Sequence, residues 1–424
     1  MKKRNLIATV AAALLLAVSA LAQNFTTFDA PGAGTGSGLG TLPISINPKG
    51  AIAGLDRDAN ACRHGFIRDK HGNFTIFDDP NAGTGSGEGT RGYSINPAGA
   101  VTGWYTDAIT GAGRGYVRAP DGTITNFDAP DAGQGPYPLG TYPWSVNILN
   151  PSGVITGWYV DANSAYHGFV RAADGTITEF DAPGSDGFTA AYGINPAGTI
   201  TGYACSSSVC YGFVRNAKGV ITNFVVPGDN VDGTGAEAIS SAGVITGWWL
   251  DVNTAYHGFV RSKQGVITTF DPPDSGTGNG QGTIPFSINA AGAIAGYYID
   301  ANGVDHGFVR AADGTITEFD VPGAGTASGQ GTQGSGNNNR GAITGDYIDG
   351  NGVYHGYLTN SFFDAENLNP PLAASDMIDE PEQIASAASK AAQGQQVVRD
   401  DRVRKGHQRR MPFAGLPGVT FLPQ

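Results

Sequence analysis

Strand-length runs of β-branched and aromatic residues recur along this chain, and each run ends in turn chemistry. Around residue 160 the run comprises a short piece ending at Asn147, then residues 154–161, 167–171 and 176–181. Their composition favours strand throughout. In the second piece both faces are apolar, with Ile155, Gly157 and Tyr159 on one side and Val154, Thr156 and Trp158 on the other. A strand of that kind is covered on both faces. Asn96-Pro97-Ala98-Gly99 and Ala173-Asp174-Gly175 are tight-turn signals of the sort that separate the pieces.

The run is a repeat. Seven tripeptides align: His64-Gly65-Phe66, Arg114-Gly115-Tyr116, His167-Gly168-Phe169, Tyr211-Gly212-Phe213, His257-Gly258-Phe259, His306-Gly307-Phe308 and His355-Gly356-Tyr357. Their central glycines lie 50, 53, 44, 46, 49 and 49 residues apart, and the long interval contains a three-residue insertion before Pro151. Seven units of four strands predict an all-β fold, a seven-bladed β-propeller of four-stranded blades. A β-solenoid, the parallel β-helix, is the alternative, but its rungs are shorter and it needs no closing device. The N-terminal Phe25-Thr26-Thr27-Phe28-Asp29 matches the fourth strand of the repeat with no third strand before it. The last unit has its third strand at residue 355 but only the shortened 360–364 after it. The N-terminal strand is therefore expected to close the ring by completing the last blade, with residues 361–364 as the competing segment.

The repeat resembles the bacterial extracellular HAF repeat, named for His-Ala-Phe. It shares an Ile-Asn-x-x-Gly element, a Gly-x-Ile-x-Gly-like strand, the His-led aromatic tripeptide and a following Asp-Gly turn, over about residues 24 to 360. It departs in carrying Gly at the middle of the tripeptide. The resemblance implies a secreted repeat protein and supplies no catalytic residues.

Composition sharpens this picture. Gly (65) and Pro (24) make up about 21% of 424 residues while only 15% are charged, which suits a turn-dense β protein and neither a polyelectrolyte nor a membrane protein. Lys2, Lys3 and Arg4 precede an apolar run over residues 6–18 and then Ala20-Leu21-Ala22, the pattern of a signal peptide over residues 1–22 cleaved near Ala22. The mature chain is thus expected to be secreted or periplasmic, with the propeller over 23–364 and a flexible tail with a short helix over 365–424. Removal of the signal peptide leaves 22 basic against 37 acidic residues. That balance excludes a nucleic-acid partner, because phosphate binding needs a basic face. No span long enough to cross a membrane is present, and a monomer is expected. Cys205 and Cys210 bracket Ser206-Ser207-Ser208-Val209 between two strands, so a disulfide is expected, with Cys62 left over.

Candidate chemistry concentrates on one rim. An Asp precedes each repeat His by six residues: Asp58 and His64, Asp161 and His167, Asp251 and His257, Asp300 and His306, Asp349 and His355. The unit lacking both carries Cys205 and Cys210, which argues that the pair ties two sides of a hairpin. No metal or other cofactor is expected. Calcium, the alternative, would want more carboxylates per unit. The residue before each Ser-x-Asn varies, and Tyr93, Trp144, Tyr192, Glu237 and Phe286 are the candidate ligand rim, expected where the innermost strands begin. Aromatic rings beside Asn and Asp suit an extracellular glycan or another small polar ligand. Trp104, Trp158, Trp248 and Trp249 recur inside strands and are expected between blades. No Gly-x-Ser-x-Gly elbow or His-Glu-x-x-His is present. The expectation is a non-enzymatic binding or scaffold module, with an extracellular polysaccharide lyase or hydrolase as the alternative.

Overall fold

The computed structural model describes residues 24–146, 153–229 and 233–359. The expected signal peptide, the tail, residues 361–364 and the insertion before Pro151 lie outside them. The described residues form 28 strands and no helix. Blade 1 is β2 (Gly40–Ile46), β3 (Ile52–Arg57), β4 (Arg63–Arg68) and β5 (Phe74–Phe77), each antiparallel to the next. The same order recurs from residue 90, 140, 188, 234 and 282, and blade 7 begins at residue 331. The innermost strands, β2, β6 (Thr90–Ile95), β10 (Gly140–Val146), β14 (Phe188–Ile194), β18 (Thr234–Ile239), β22 (Gly282–Ile288) and β26 (Gly331–Asn337), contact one another in a closed cycle around the axis. The protein is a seven-bladed β-propeller.

The N-terminal strand closes the ring. β1 (Phe25–Phe28) lies antiparallel to β28 (Tyr354–Thr359) as the fourth strand of blade 7, with Phe28 opposite Gly356, just as Phe77 lies opposite Gly65 in blade 1. On the turn side, the Asn338 side chain donates to the Asn47 carbonyl across the same junction (3.4 Å), as Asn47 does to Asn96 one blade on (3.1 Å).

The repeat tripeptide explains the packing. Its aromatic third residue, Phe66 in blade 1, is fully buried with its counterparts and fills the gap to the preceding blade. Complete burial of such a ring stabilises by about 1.5–3 kcal/mol. Its central glycine leaves room for a fourth-strand ring: a Cβ on Gly65 would sit 2.7 Å from Phe77. The arginine ending the third strand reaches back over the previous blade's ring, as Arg68 does over Phe28 (4.5 Å) and Arg171 over Phe127 (4.8 Å). In the inner strands a threonine hydroxyl accepts the N–H that follows the preceding fourth strand, as Thr41 does from Ala30 (2.8 Å).

Candidate functional site

The loops entering each inner strand and the hairpins between second and third strands share one rim and are bonded together. Gly38 N–H donates to the Gly352 carbonyl, and Gly87 N–H to that of Ala61. The expected Asp/His pairs are present, but as the longer of two contacts that each histidine makes. Each hairpin Asp chiefly organises its own loop: one Asp58 oxygen accepts the Asn60 and Cys62 N–H groups (both 2.8 Å). Asp161, Asp251, Asp300 and Asp349 do the same. The short histidine bond goes elsewhere, to an Asp after the fourth strand: His64 to Asp78 (2.8 Å), His167 to Asp181 (2.9 Å), His257 to Asp271 (2.7 Å), His306 to Asp320 (3.0 Å) and His355 to Asp29 (2.9 Å). The hairpin Asp stands 3.7–3.8 Å from the other ring nitrogen. The spacing of six concealed this because the nearer carboxylate lies fourteen residues downstream, or at the far end of the chain for His355.

This rim unit is electrostatically settled. Burial alone would raise the acids, but the N–H bonds outweigh it and hold Asp58, Asp251, Asp300 and Asp349 below the usual carboxylate range. Their aspartate partners raise His167, His257 and His306. Arg114 pairs with Asp128 (2.5 Å) in place of histidine, and in blade 4 Cys205 and Cys210, direct cross-strand partners, are disulfide-bonded. Cys62 is buried and free. Among the described residues no group of three or more His, Cys, Asp or Glu is arranged to hold a metal ion.

The candidate ligand residues sit deeper than expected. Tyr93, Trp144, Tyr192, Glu237 and Phe286 each occupy a β-bulge in an inner strand, between Gly92 and Ser94 for Tyr93 and between Pro143 and Ser145 for Trp144. Trp144 is the fifth of seven residues in β10, so these side chains lie within the axis and not where the strands begin. The bulge supplies the physical reason, since an extra residue re-aims its side chain out of the ladder. Tyr93 packs on Trp144 (4.6 Å), and Trp144 on Tyr192 (5.5 Å), joining blades 2, 3 and 4. Glu237 is buried and accepts the Trp248 indole N–H (2.8 Å), with burial pushing its carboxyl up to about 7. Phe286 stacks on Tyr297 (5.8 Å).

One layer beside these bulges abandons the repeat. At a single position of the second strand the blades carry Leu55, Trp104, Trp158, Tyr203, Trp248, Tyr297 and Asp346. Blades 2 to 5 form an aromatic arc there: Trp104 on Tyr142 (4.9 Å), Trp158 on Tyr192 (5.2 Å), Tyr203 on Trp248 (5.8 Å). Trp249 is different, stacking on His257 at the rim (4.6 Å). Blades 7 and 2 also place polar residues at this level, and blades 6 and 1 place them two positions nearer the rim. Gln333 donates to Asp305 (2.6 Å) and lies opposite Asp346; Arg57 lies over Tyr354 (5.3 Å) and opposite Arg63; Arg91 lies over Trp104 (3.6 Å). Burial pushes Asp305 up to about 6 and Asp346 up to about 8, and one Asp346 oxygen has no hydrogen-bond partner. Arg57, Arg63, Gln333 and Asp346 escaped a reading that searched for what repeats. Their signal is the opposite one, the alignment columns in which the seven units disagree.

A seven-bladed propeller with one dissimilar layer around its axis is the class this geometry defines. No family model matches the chain, and no curated protein matches it. Among solved structures it is similar to streptogramin B lyase, with TM-score 0.51 and 16% identity over 79% of this chain and 97% of that one. It is also similar to a putative TolB from Agrobacterium tumefaciens (TM-score 0.39, 13% identity, 58% and 83% covered). A mutant of Aleuria aurantia lectin in complex with alpha-methyl-L-fucoside follows (TM-score 0.38, 10% identity, 69% and 96% covered). At 16% identity the first likeness shows a shared fold and nothing finer, and the other two carry no argument.

Proposed function

We propose that this propeller is a secreted, non-enzymatic binding module whose ligand, a glycan or another small polar molecule, is engaged at the axial layer. The observation that carries the reading is the break in repetition: the scaffold contacts recur from blade to blade, while the axial layer places an aromatic arc beside an Arg, Asp and Gln group. Aromatic faces with a few directed polar groups are what sugar and small-ligand sites require. The signal-peptide pattern and the HAF-like repeat support export, and the Cys205–Cys210 disulfide suits an oxidising compartment. The module works without metal, so chelator should leave its melting temperature unchanged.

The test is a glycan array probed with the purified chain, followed by Tyr93→Ser and Trp144→Ala. Binding that both substitutions weaken at least tenfold, with near-native melting, is the expected result. Binding indifferent to both would overturn the axial placement. The raised carboxyls of Asp305 and Asp346 favour a second reading, an extracellular polysaccharide lyase or hydrolase using one as a proton donor. Depolymerisation of a bound glycan that Asp346→Asn abolishes would establish that reading.

A further inference from the structure

Three arginines gather about blade 1, Arg57 on the side of blade 7 over Tyr354, and Arg63 with Arg91 at the loop entering blade 2. Arg57 and Arg63 are direct cross-strand partners at the ends of β3 and β4. Like charges placed directly opposite one another in a sheet are destabilising. Arg91, from β6 of the next blade, is 5% exposed, and it and Arg63 donate to one and the same carbonyl, that of Gly87. Arg57 donates to the Gly38 carbonyl (2.8 Å), and Arg91 also to Gly89 and Thr106 (both 3.3 Å). All of these acceptors are neutral. Among the described residues no carboxylate comes within 4 Å of the three guanidinium groups, in a chain with 37 acidic residues against 25 basic ones. Burial pushes Asp346 up to about 8 against the opposing charge of Arg57, and no ion pair within 4 Å joins the two. Desolvation and the neighbouring Arg63 together push Arg91 down to about 9.

Uncompensated, mutually repelling guanidinium groups with N–H donors to spare describe an anion site. Arg57 and Arg63 are half-buried and within reach of a ligand, while Arg91 stands behind them. Next to Arg91 are rings: Trp104 under its guanidinium (3.6 Å), Tyr137, 44% exposed and stacked on Trp104 (6.3 Å), and half-buried Tyr93, two residues along β6. A ligand that meets both sets carries one negative charge on a hydroxyl-bearing ring. We propose that Arg57, Arg63 and Arg91 bind the carboxylate of an acidic, uronate-type sugar. This rests on the binding reading above and names the ligand class for the same layer.

The experiment is titration calorimetry of the full chain with oligogalacturonate, its methyl-esterified form, and a sulfated oligosaccharide of the same length. Esterification, Arg57→Gln and Arg63→Gln should each weaken binding at least tenfold, while Arg340→Gln, an exposed arginine at a turn on the opposite face, should leave it unchanged. Arg63→Gln should melt no lower than the parent, so its loss of binding is separable from loss of fold. Equal affinity for the esterified form, or an unaffected Arg63→Gln, overturns the anion assignment and leaves the binding reading intact. Preference for the sulfated sugar overturns the carboxylate. No binding to any of the three, or to neutral glycans, overturns both readings.

Discussion

The outer body of each blade and the axial layer are built by opposite rules. In the outer body a Gly–Phe contact, an Arg–ring contact and a His–Asp bond recur with nearly constant geometry: the five short His–Asp distances span only 2.7–3.0 Å. In the axial layer one register position holds leucine, tryptophan, tyrosine or aspartate depending on the blade. Repeated contacts are those every blade needs in order to stack on its neighbour. Departures at one layer, and at the facing arginine pair two positions nearer the rim, serve something other than stacking.

Removing a scaffold element should have the largest effect. Deleting residues 24–31 strips blade 7 of its fourth strand and of Phe25 and Phe28, and should lower the melting temperature by about 10 °C or more. A small change would mean that ring closure does not depend on β1, and the comparison would lose its strongest term. Next, Phe169→Ala empties a fully buried interblade position and should cost about 3–5 kcal/mol in chemical denaturation, with no selective effect on ligand affinity at temperatures where the variant is folded. Cys205→Ser with Cys210→Ser should cost about 1–3 kcal/mol, since the bridge closes only a short loop.

A pH titration of stability compares the two regions directly. The raised histidines His167, His257 and His306 contribute fully below about pH 6.5, and their contribution is lost as pH rises through their folded values. The axial carboxyls act with the same sign: raised to about 7 for Glu237 and about 8 for Asp346, they favour the fold while protonated and cease to as pH climbs from about 4 to 8. The lowered acids, the hairpin carboxylates Asp58 and Asp251 among them, oppose this, losing stability in acid. Melting temperature should therefore fall from about pH 5 to 9, and Asp346→Asn should flatten the curve more than His167→Gln. The reverse order would place the main pH sensitivity at the rim. The smallest expected effect is Arg57→Gln, which should raise stability by a few tenths of a kcal/mol by relieving the arginine pair.

Much of the rim could be read from sequence, but its partners could not. His64 and Asp58 share a hairpin, so their spacing is visible; Asp78 reaches His64 only because the fourth strand folds back antiparallel on the third. For His355 the partner is Asp29, at the other end of the chain, and only ring closure joins them. The depth of Tyr93 and Trp144 was not legible, because a bulge leaves no mark in the alternation of a six- or seven-residue strand.

By itself the sequence determined the blade count, the four strands per blade and the glycine and aromatic positions that let blades stack, while the pairing of β1 with β28 decided between the two candidate closing segments. The counts and positions depend on local chemistry repeated seven times, and repetition makes weak signals legible. Tertiary structure alone decided which residues meet at the axis. Arg57, Arg63 and Arg91 come from three strands in two blades, and Asp305, Gln333 and Asp346 from three strands in two others. Their proximity is created by closing the ring, a long-range event that no local spacing encodes.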